Sequence, residues 1–503
     1  MLDTAAIEVP QGAFKGFIED LDEADVRACL RQYAIANNYS FLLTELSKPL
    51  VEAKAKVFLP LPPVWRNHFR SLGLTVAPRS SWRFRLTLFD NFIRGIKLAR
   101  QLLEFSRVHD CLYPGRGKFD AFFHFNESHF GSGIFDPKRK DFYAWYLSYF
   151  QVTPGRPCVI ELPDTRPINK DHGHIKFVGS FFGGLKENDK RRRFLWCIIK
   201  LGFKALFGVL NNRWWLPAMF PEAVKLEYFK LVPDDNIARR YVFSAGSCLM
   251  RPLWSYYAER LGAEVICVFY SANFVTFTPV KDVVAQRTAG LEAMNWPVMI
   301  VTDEDSKKAL VSYKHPEKNI SVSPEFIDFT DNGVCVPLVS KKSILVFDVP
   351  PYRTYFKATR GFHNAYYTFS QWSSFFDDIL VLARKYGYMV MLKSKRSNHR
   401  FHEKAFDFRM EAIGNLPEVC VLDAGISPSR AIAAADVIIA MPFTSPAIAS
   451  KLQGKPTMYY DPGGQLDHCK DLAHGLAMTH SFEEMDTWFS KLGLHSEENL
   501  EAK

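Results

Sequence analysis

The sequence predicts an α/β fold: two Rossmann-like, doubly wound parallel-sheet domains facing a cleft, with extra helices at the N-terminus. Three observations lead there. From residue 240 onward, short β-rich runs alternate with helical stretches, the pattern of parallel βαβ units. The polar "CVPLVSKKS" (335–343), basic at its end, interrupts that alternation and divides it into two blocks. The 503 residues are enough for two or three domains of ordinary size, each with its own core.

Taken in order, residues 1–115 read as a charged helical region, for example "FIEDLDEADVRACLRQYAIANN" and "LTLFDNFIRGIKLARQLLEFSRVHD". Residues 116–340 form a first Rossmann-like domain. Its strand signals begin with "KFDAFFHFNESHF" (118–130) and "RPCVIELPD" (156–164). Strand "RYVFSAG", helix "PLWSYYAERLG" closing on Gly262, strand "AEVICVFYS", strand "PVMIVTDED" and helix "SKKALVSYKH" follow. Residues 341–480 form the second domain. Strands "SILVFDVPP", "YMVMLKSKR", "EVCVLDAG", "DVIIAM" and "PTMYYD" alternate there with helices such as "SQWSSFFDDILVLARKYG" and "SPAIASKLQG". Five strands with intervening helices are the size of one open doubly wound sheet. A C-terminal helix and tail occupy 481–503.

Composition narrows the partners. The net charge of +9 and pI near 8.9 favour anionic ones: nucleotide phosphates, lipid headgroups or nucleic acid. Nucleic acid is disfavoured, because the basic residues form no long stripe and no known module is present. With 43 Phe, 20 Tyr and 10 Trp the chain is rich in aromatics, which suits carbohydrate or membrane contact as well as large cores. The nine cysteines show neither CxxC nor zinc spacing, which predicts reduced thiols in a cytoplasmic protein. The start, "MLDTAAIEVPQGAF", lacks the charged and apolar regions of a secretory signal. No run reaches the ~18 apolar residues of a membrane span. One segment comes close, "RRRFLWCIIKLGFKALFGVLNNRWWLP" (191–217). Cationic ends and the tryptophans Trp214 and Trp215 read as an interfacial helix on an anionic membrane surface. A buried helix with snorkelling lysines is the alternative.

In an open parallel sheet, ligands collect beyond the carboxyl ends of the strands. Four strand ends in the second domain carry polar residues. One strand ends in Asp348, the next in Lys393-Ser394-Lys395-Arg396, a third in Asp423, and "DVIIAM" in Pro442-Phe443-Thr444-Ser445. Thr444 or Ser445 is placed as the N-cap of a helix with Pro446 in its first turn, and such a helix start attracts a phosphate. Ser/Thr-Pro is equally a good helix start with no ligand. Lys393, Lys395 and Arg396 would neutralise the same phosphate. Asp461, ending "PTMYYD", suits sugar or ribose hydroxyls, or simply a turn. No metal is expected. "DED" (303–305) precedes a helical run and reads as a helix start. The histidines of "HGHIKFVGSFFGG" lack a third ligand.

"SILVFDVPPYR", "VMLKSKR" and "MPFTSPAIASKLQGKPTMYYDP" resemble the surface-carbohydrate biosynthesis proteins named for their PFTS motif, and through them GT-B glycosyltransferases. "FSAGSCLMRPLWSYYAERLGAEVICVFYS" and "AMNWPVMIVTDED" are similar to that family's middle region, so the resemblance covers about residues 240–465. It implies a metal-independent enzyme moving a sugar from a nucleotide-activated donor to a lipid-linked or growing surface polysaccharide, at the inner face of the cytoplasmic membrane. The nucleotide sugar is a substrate, and no cofactor is implied. Residues 116–340 become the acceptor side and 341–480 the donor side. Thr444 and Ser445 would bind donor phosphate, and Lys393 with Arg396 would stabilise the departing nucleotide. This chain has "KSKR" where related transferases often carry a Lys-Pro element, which leaves the role of each basic residue open. The paired acids of many UDP- or GDP-sugar enzymes are missing, which favours CMP-linked ulosonic acid. A CDP-polyol phosphotransferase, or a glycan- or lipid-binding scaffold without catalysis, is the alternative. The chemistry needs a carboxylate or histidine near the anomeric carbon. Asp164 and Glu161 follow an apolar strand, with His172 and His174 nearby, and Asp348 is their rival.

Overall fold

The computed structural model describes residues 9–36, 56–57, 60–71, 73–108, 119–124, 142–153, 158–161, 175–178, 184–185, 187–211, 213–245, 250–269, 289–323, 334–339, 341–353, 366–393, 402–466 and 473–501. Two compact units share the chain, one of 1–126, 153–268 and 289–299, the other of 127–152, 269–288 and 300–503.

A seven-stranded sheet is built from β1 (Ala121–His124), β2 (Cys158–Glu161), β3 (Ile175–Val178), β4 (Arg240–Ala245), β5 (Glu264–Phe269), β6 (Val298–Val301) and β7 (Ile320–Val322). Its order is β3-β2-β1-β4-β5-β6-β7, with β1 parallel to both β2 and β4. In the first unit, three helices pack on one another: α1 (Pro78–Val108), α2 (Asn188–Leu210) and α3 (Trp215–Phe229). Helix α3 is apolar almost all round, as a helix enclosed by protein must be, and eleven of its residues are buried. Phe194, Ile198, Leu201 and Ala205 of α2 recur at helical spacing and turn inward. Phe92 of α1 stacks on Phe220 of α3 at 5.6 Å between ring centroids.

Trp214 and Trp215 are not boundary anchors. Trp214 is 5% exposed and meets Phe84 edge-on at 6.3 Å. The Trp215 indole N–H donates to Ala13 O at 3.3 Å. Both close the turn between α2 and α3, inside the helical layer.

The second sheet has six strands: β8 (Ser343–Phe347), β9 (Met389–Lys393), β10 (Val419–Leu422), β11 (Val437–Ala440), β12 (Thr457–Tyr460) and β13 (Ala477–Thr479). All pairs are parallel, in the order β10-β9-β8-β11-β12-β13. One strand more is present than the sequence suggested, the three-residue β13. Parallel sheets of this kind are covered on both faces, so their strands are apolar throughout rather than alternating. Strand β8 is "SILVF", every residue buried. Ile344 and Val346 join a core with Trp372, Phe375 and Phe376 of helix α5 (Phe369–Tyr386), while Leu345 and Phe347 join Ile432, Ala447 and Ile448 on the other face. Thr368 caps α5 by accepting from Gln371 N–H at 3.2 Å, and Gly387 ends it at φ 71°, the left-handed geometry glycine adopts cheaply.

The α1–α3 contact yields a prediction. A Cβ on Gly95 would lie 2.3 Å from Cδ1 of Phe220. Gly95→Ala gains roughly 1 kcal/mol of helix propensity, yet the clash with a stacked ring costs ~1–3 kcal/mol. The variant is expected to melt below the parent; a higher melting temperature would show that the layer is loosely packed.

Candidate functional site

The second sheet reverses its strand order between β8 and β11. At such a point the connections leave on opposite faces, and a crevice opens beyond the carboxyl ends. Phe347 is in register with Lys393 on one side and Ala440 on the other. Asp348, Lys393 and Met441 therefore emerge from three adjacent strands, and the Pro442–Ser445 turn lies at that carboxyl end.

That turn is held in a costly shape. Phe443 has φ 61°, a conformation rare for any residue with a Cβ and an outlier for a bulky one. It is kept there by packing and by hydroxyls. The Phe443 ring is buried, 6.0 Å from that of Tyr459. Thr444 donates to Met441 O at 3.0 Å, Tyr367 to Pro442 O at 2.8 Å and Tyr459 to Thr444 O at 3.1 Å. Three carbonyls of the turn thus point at buried hydroxyl groups, which screens their negative ends from anything approaching the crevice. Helix α6 (Ser445–Leu452) begins immediately after.

The hydroxyls divide differently from the sequence expectation. Thr444 is the N-cap residue, with φ −91° and ψ 128°, but its side chain makes no capping bond. At 3% exposure its hydroxyl is committed to Met441 O, so Thr444 holds the turn instead of reaching a phosphate. Ser445 is half-buried in the first turn of α6.

The charged groups are redistributed too. Lys393 is 5% exposed and its ammonium donates to Ala424 O at 3.0 Å, in the segment after β10. It thus ties the end of β9 to that segment. Burial lowers its pKa, against the pull of Asp423 and Asp348. Asp348 is 2% exposed and accepts from the Trp372 indole at 3.1 Å. It is an electrostatic neighbour of Lys393 and is buried at the end of β8. Asp461 is fully buried: it accepts from Tyr366 at 3.0 Å and Leu466 N–H at 2.8 Å, and lies 3.2 Å from His480 Nδ1. Its carboxylate fastens the loop after β12 and is closed to a sugar. Lys395, Arg396 and Asp164, with His172 and His174, lie outside the described residues. Glu161 ends β2 opposite His124 of β1.

Two features went unread in the sequence. His124 ends an apolar strand beside the reversal point of the first sheet, between β1 and β4, with its ring 5.3 Å from Phe243; a histidine closing an apolar run was the available signal. Tyr366 and Tyr367 stand just before α5, and nothing local names their partners. Asp303 is a helix cap, as "DED" suggested: it accepts from Ser306 N–H at 2.7 Å at the start of helix α4 (Glu304–Ser312). Burial would raise its pKa, but His474 at 2.8 Å and Ser306 together hold it below the usual aspartate value. Among the described residues, no three His, Cys, Asp or Glu converge where a metal ion could sit.

A profile of the polysaccharide biosynthesis PFTS motif proteins matches residues 199–489, more than half of the chain. The chain belongs to that family. The motif itself is the Pro442-Phe443-Thr444-Ser445 turn, and the matched span contains the whole second sheet. No curated protein matches. Among solved structures, this PFTS protein is similar to the wall teichoic acid polymerase TagF, at 11% identity over 83% of this chain and 92% of that one, TM-score 0.39. It is also similar to the UDP-GlcNAc 2-epimerase of Neisseria meningitidis bound to UDP-GlcNAc, at 11% identity over 75% and 92%, TM-score 0.35. The UDP-GlcNAc 2-epimerase of Methanocaldococcus jannaschii is similar at 8% identity over 74% and 92%, TM-score 0.35.

Tyr367→Phe removes one hydroxyl and leaves a buried carbonyl without it, so a loss of roughly 1–3 kcal/mol in unfolding free energy is expected. Denaturant unfolding measures it. Unchanged stability would mean that the turn keeps its shape without the Pro442 contact.

Proposed function

We propose that this PFTS protein is a glycosyltransferase. It moves a sugar from a nucleotide-activated donor, CMP-linked ulosonic acid favoured, to a lipid-linked or growing surface-polysaccharide acceptor while resting on the inner face of the cytoplasmic membrane. The observation carrying this is the coincidence of the motif turn with the strand-order reversal: a helix start, with its neighbouring carbonyls already hydrogen-bonded, lies where a doubly wound sheet takes its ligand.

In this reading Ser445 and the first amides of α6 hold the donor phosphate, and Lys395 and Arg396 oppose its charge. Lys393, whose ammonium has three donors and gives one to Ala424 O, is proposed to join them. The acceptor hydroxyl attacks the anomeric carbon, the carbon–oxygen bond to the nucleotide phosphate breaks, and the bonding pair leaves with the phosphate. Anion stabilisation at the turn therefore grows as the bond breaks, which is the condition for accelerating the step. A base takes the acceptor proton; Glu161 and Asp164 are proposed for it, with His124 added.

CMP, UDP, GDP and their sugars, screened by thermal melting, test the donor. A nucleotide at about a hundredfold its Kd stabilises the folded chain by about 2.7 kcal/mol, a rise of several degrees. If none raises the melting temperature, the reading fails. Ser445→Ala is expected to weaken the responsive nucleotide by about tenfold or more, since hydrogen bonds to charged groups contribute roughly 1.5–3 kcal/mol, with little change in the unliganded melt. Undiminished affinity would remove the motif serine from the site.

A further inference from the structure

We propose that the outward face of α1 and α2 is a docking surface for an anionic lipid bilayer. The inference deepens the membrane association proposed above, but it stands on observations in the first unit alone. Helix α2 is apolar on two sides. While Phe194, Ile198 and Leu201 face the protein, Trp196, Phe203, Phe207 and Leu210 are 66%, 70%, 52% and 71% exposed. Their spacing of seven, four and three residues puts them on one face. Trp82 and Phe89, seven apart on α1, are 65% and 47% exposed. Of the eighteen large apolar side chains exposed among the described residues, four lie on α1 and six on α2. Single exposed apolar residues are ordinary, but ten on two packed helices form a patch that marks an interaction. A groove of about 580 Å³ runs between the helices, apolar except for Arg100 and Glu104, which pair with each other at 2.7 Å.

Charge selects the occupant. Helices α1 and α2 carry thirteen Lys and Arg against three Asp and Glu, and the remaining chain carries 50 against 51. The whole positive excess of the protein therefore sits on these two helices. Arg192, Arg193 and Lys200 flank the α2 patch, and Arg79, Arg85 and Lys97 flank that of α1, all exposed. An apolar strip bordered by cations, with tryptophan on the strip, is the pattern of a helix lying in the headgroup layer. A second copy would set one cationic face against another, which disfavours it. No helix among the described residues is long and apolar enough to cross a membrane, so the pair would lie along the surface.

Flotation of the full chain with vesicles of equal phosphatidylglycerol and phosphatidylcholine, against phosphatidylcholine alone, tests this. The parent is expected to float with the anionic vesicles and to be released by salt, which screens surface charge. Trp196→Ser combined with Phe203→Ser should cut the bound fraction at least about tenfold, with an unchanged melt because both positions are exposed. Arg192→Glu with Arg193→Glu should lose binding to anionic vesicles specifically. Equal flotation of parent and both variants would overturn the proposal, as would equal binding to neutral vesicles. A parent dimer that the Trp196/Phe203 variant converts to monomer without changing flotation would overturn it in favour of self-association. The nucleotide-induced melting shift, followed in the same variants, is expected to persist; its absence from parent and variants alike would count against the transferase reading and leave the docking surface standing.

Discussion

Strand β8 pairs in parallel with β9 on one side and β11 on the other, and the second unit depends on that double pairing. A parallel neighbour on each side requires crossovers, and the crossovers place helices over both faces. With Ile344, Leu345 and Val346 at no exposure at all, no residue within the strand can meet a ligand. Polar chemistry is pushed to the carboxyl end, where the chain leaves the ladder. Asp348, Lys393 and the Pro442–Ser445 turn are neighbours for this reason and not because they are close in sequence.

The turn shows how a strained shape is kept. A left-handed phenylalanine costs on the order of 1–3 kcal/mol, and the three hydroxyl bonds together offset that, at about 1 kcal/mol each. The hydroxyls come from three places: Thr444 from the turn, Tyr459 from the next strand and Tyr367 from just before α5. The neighbouring Tyr366 reaches Asp461 after β12. Two consecutive tyrosines thus tie down two of the loops at the carboxyl end of the sheet. Burial raises the pKa of both, so each keeps its proton to donate throughout the neutral range.

The sequence made local facts legible and long-range ones not. Unbroken apolar runs bounded by helices revealed the central strands β8, β9 and β11, because burial on both faces leaves a strong compositional mark. A helix start could be read from Thr444-Ser445-Pro446 and another from Asp303, since caps act within a few residues of themselves. What a side chain bonds across the fold was invisible. Thr444 donates to Met441 O, Asp461 is surrounded by Tyr366, Leu466 and His480, and Lys393 donates to Ala424 O, and no local pattern announces any of these contacts. The three-residue β13 is too short for a period to show.

Tryptophan in the 187–217 stretch makes the same point from the other direction. Trp196 and Trp214 lie in one cationic, apolar segment, and composition cannot tell them apart. Helical phase separates them. Trp196 falls opposite the stripe of Phe194, Ile198, Leu201 and Ala205, so packing that stripe on α3 forces the indole outward. Trp214 stands past the end of α2, where the chain must fold back for α3 to pack, and the turn encloses it against Phe84. Gly208 permits the fold-back, since a Cβ there would stand 2.9 Å from Arg213 O. Burying one side of α2 thus fixes what its other side must display. An apolar outer face is costly in water, and the bilayer docking proposed for α1 and α2 rests on that cost together with the exposed cations at its border.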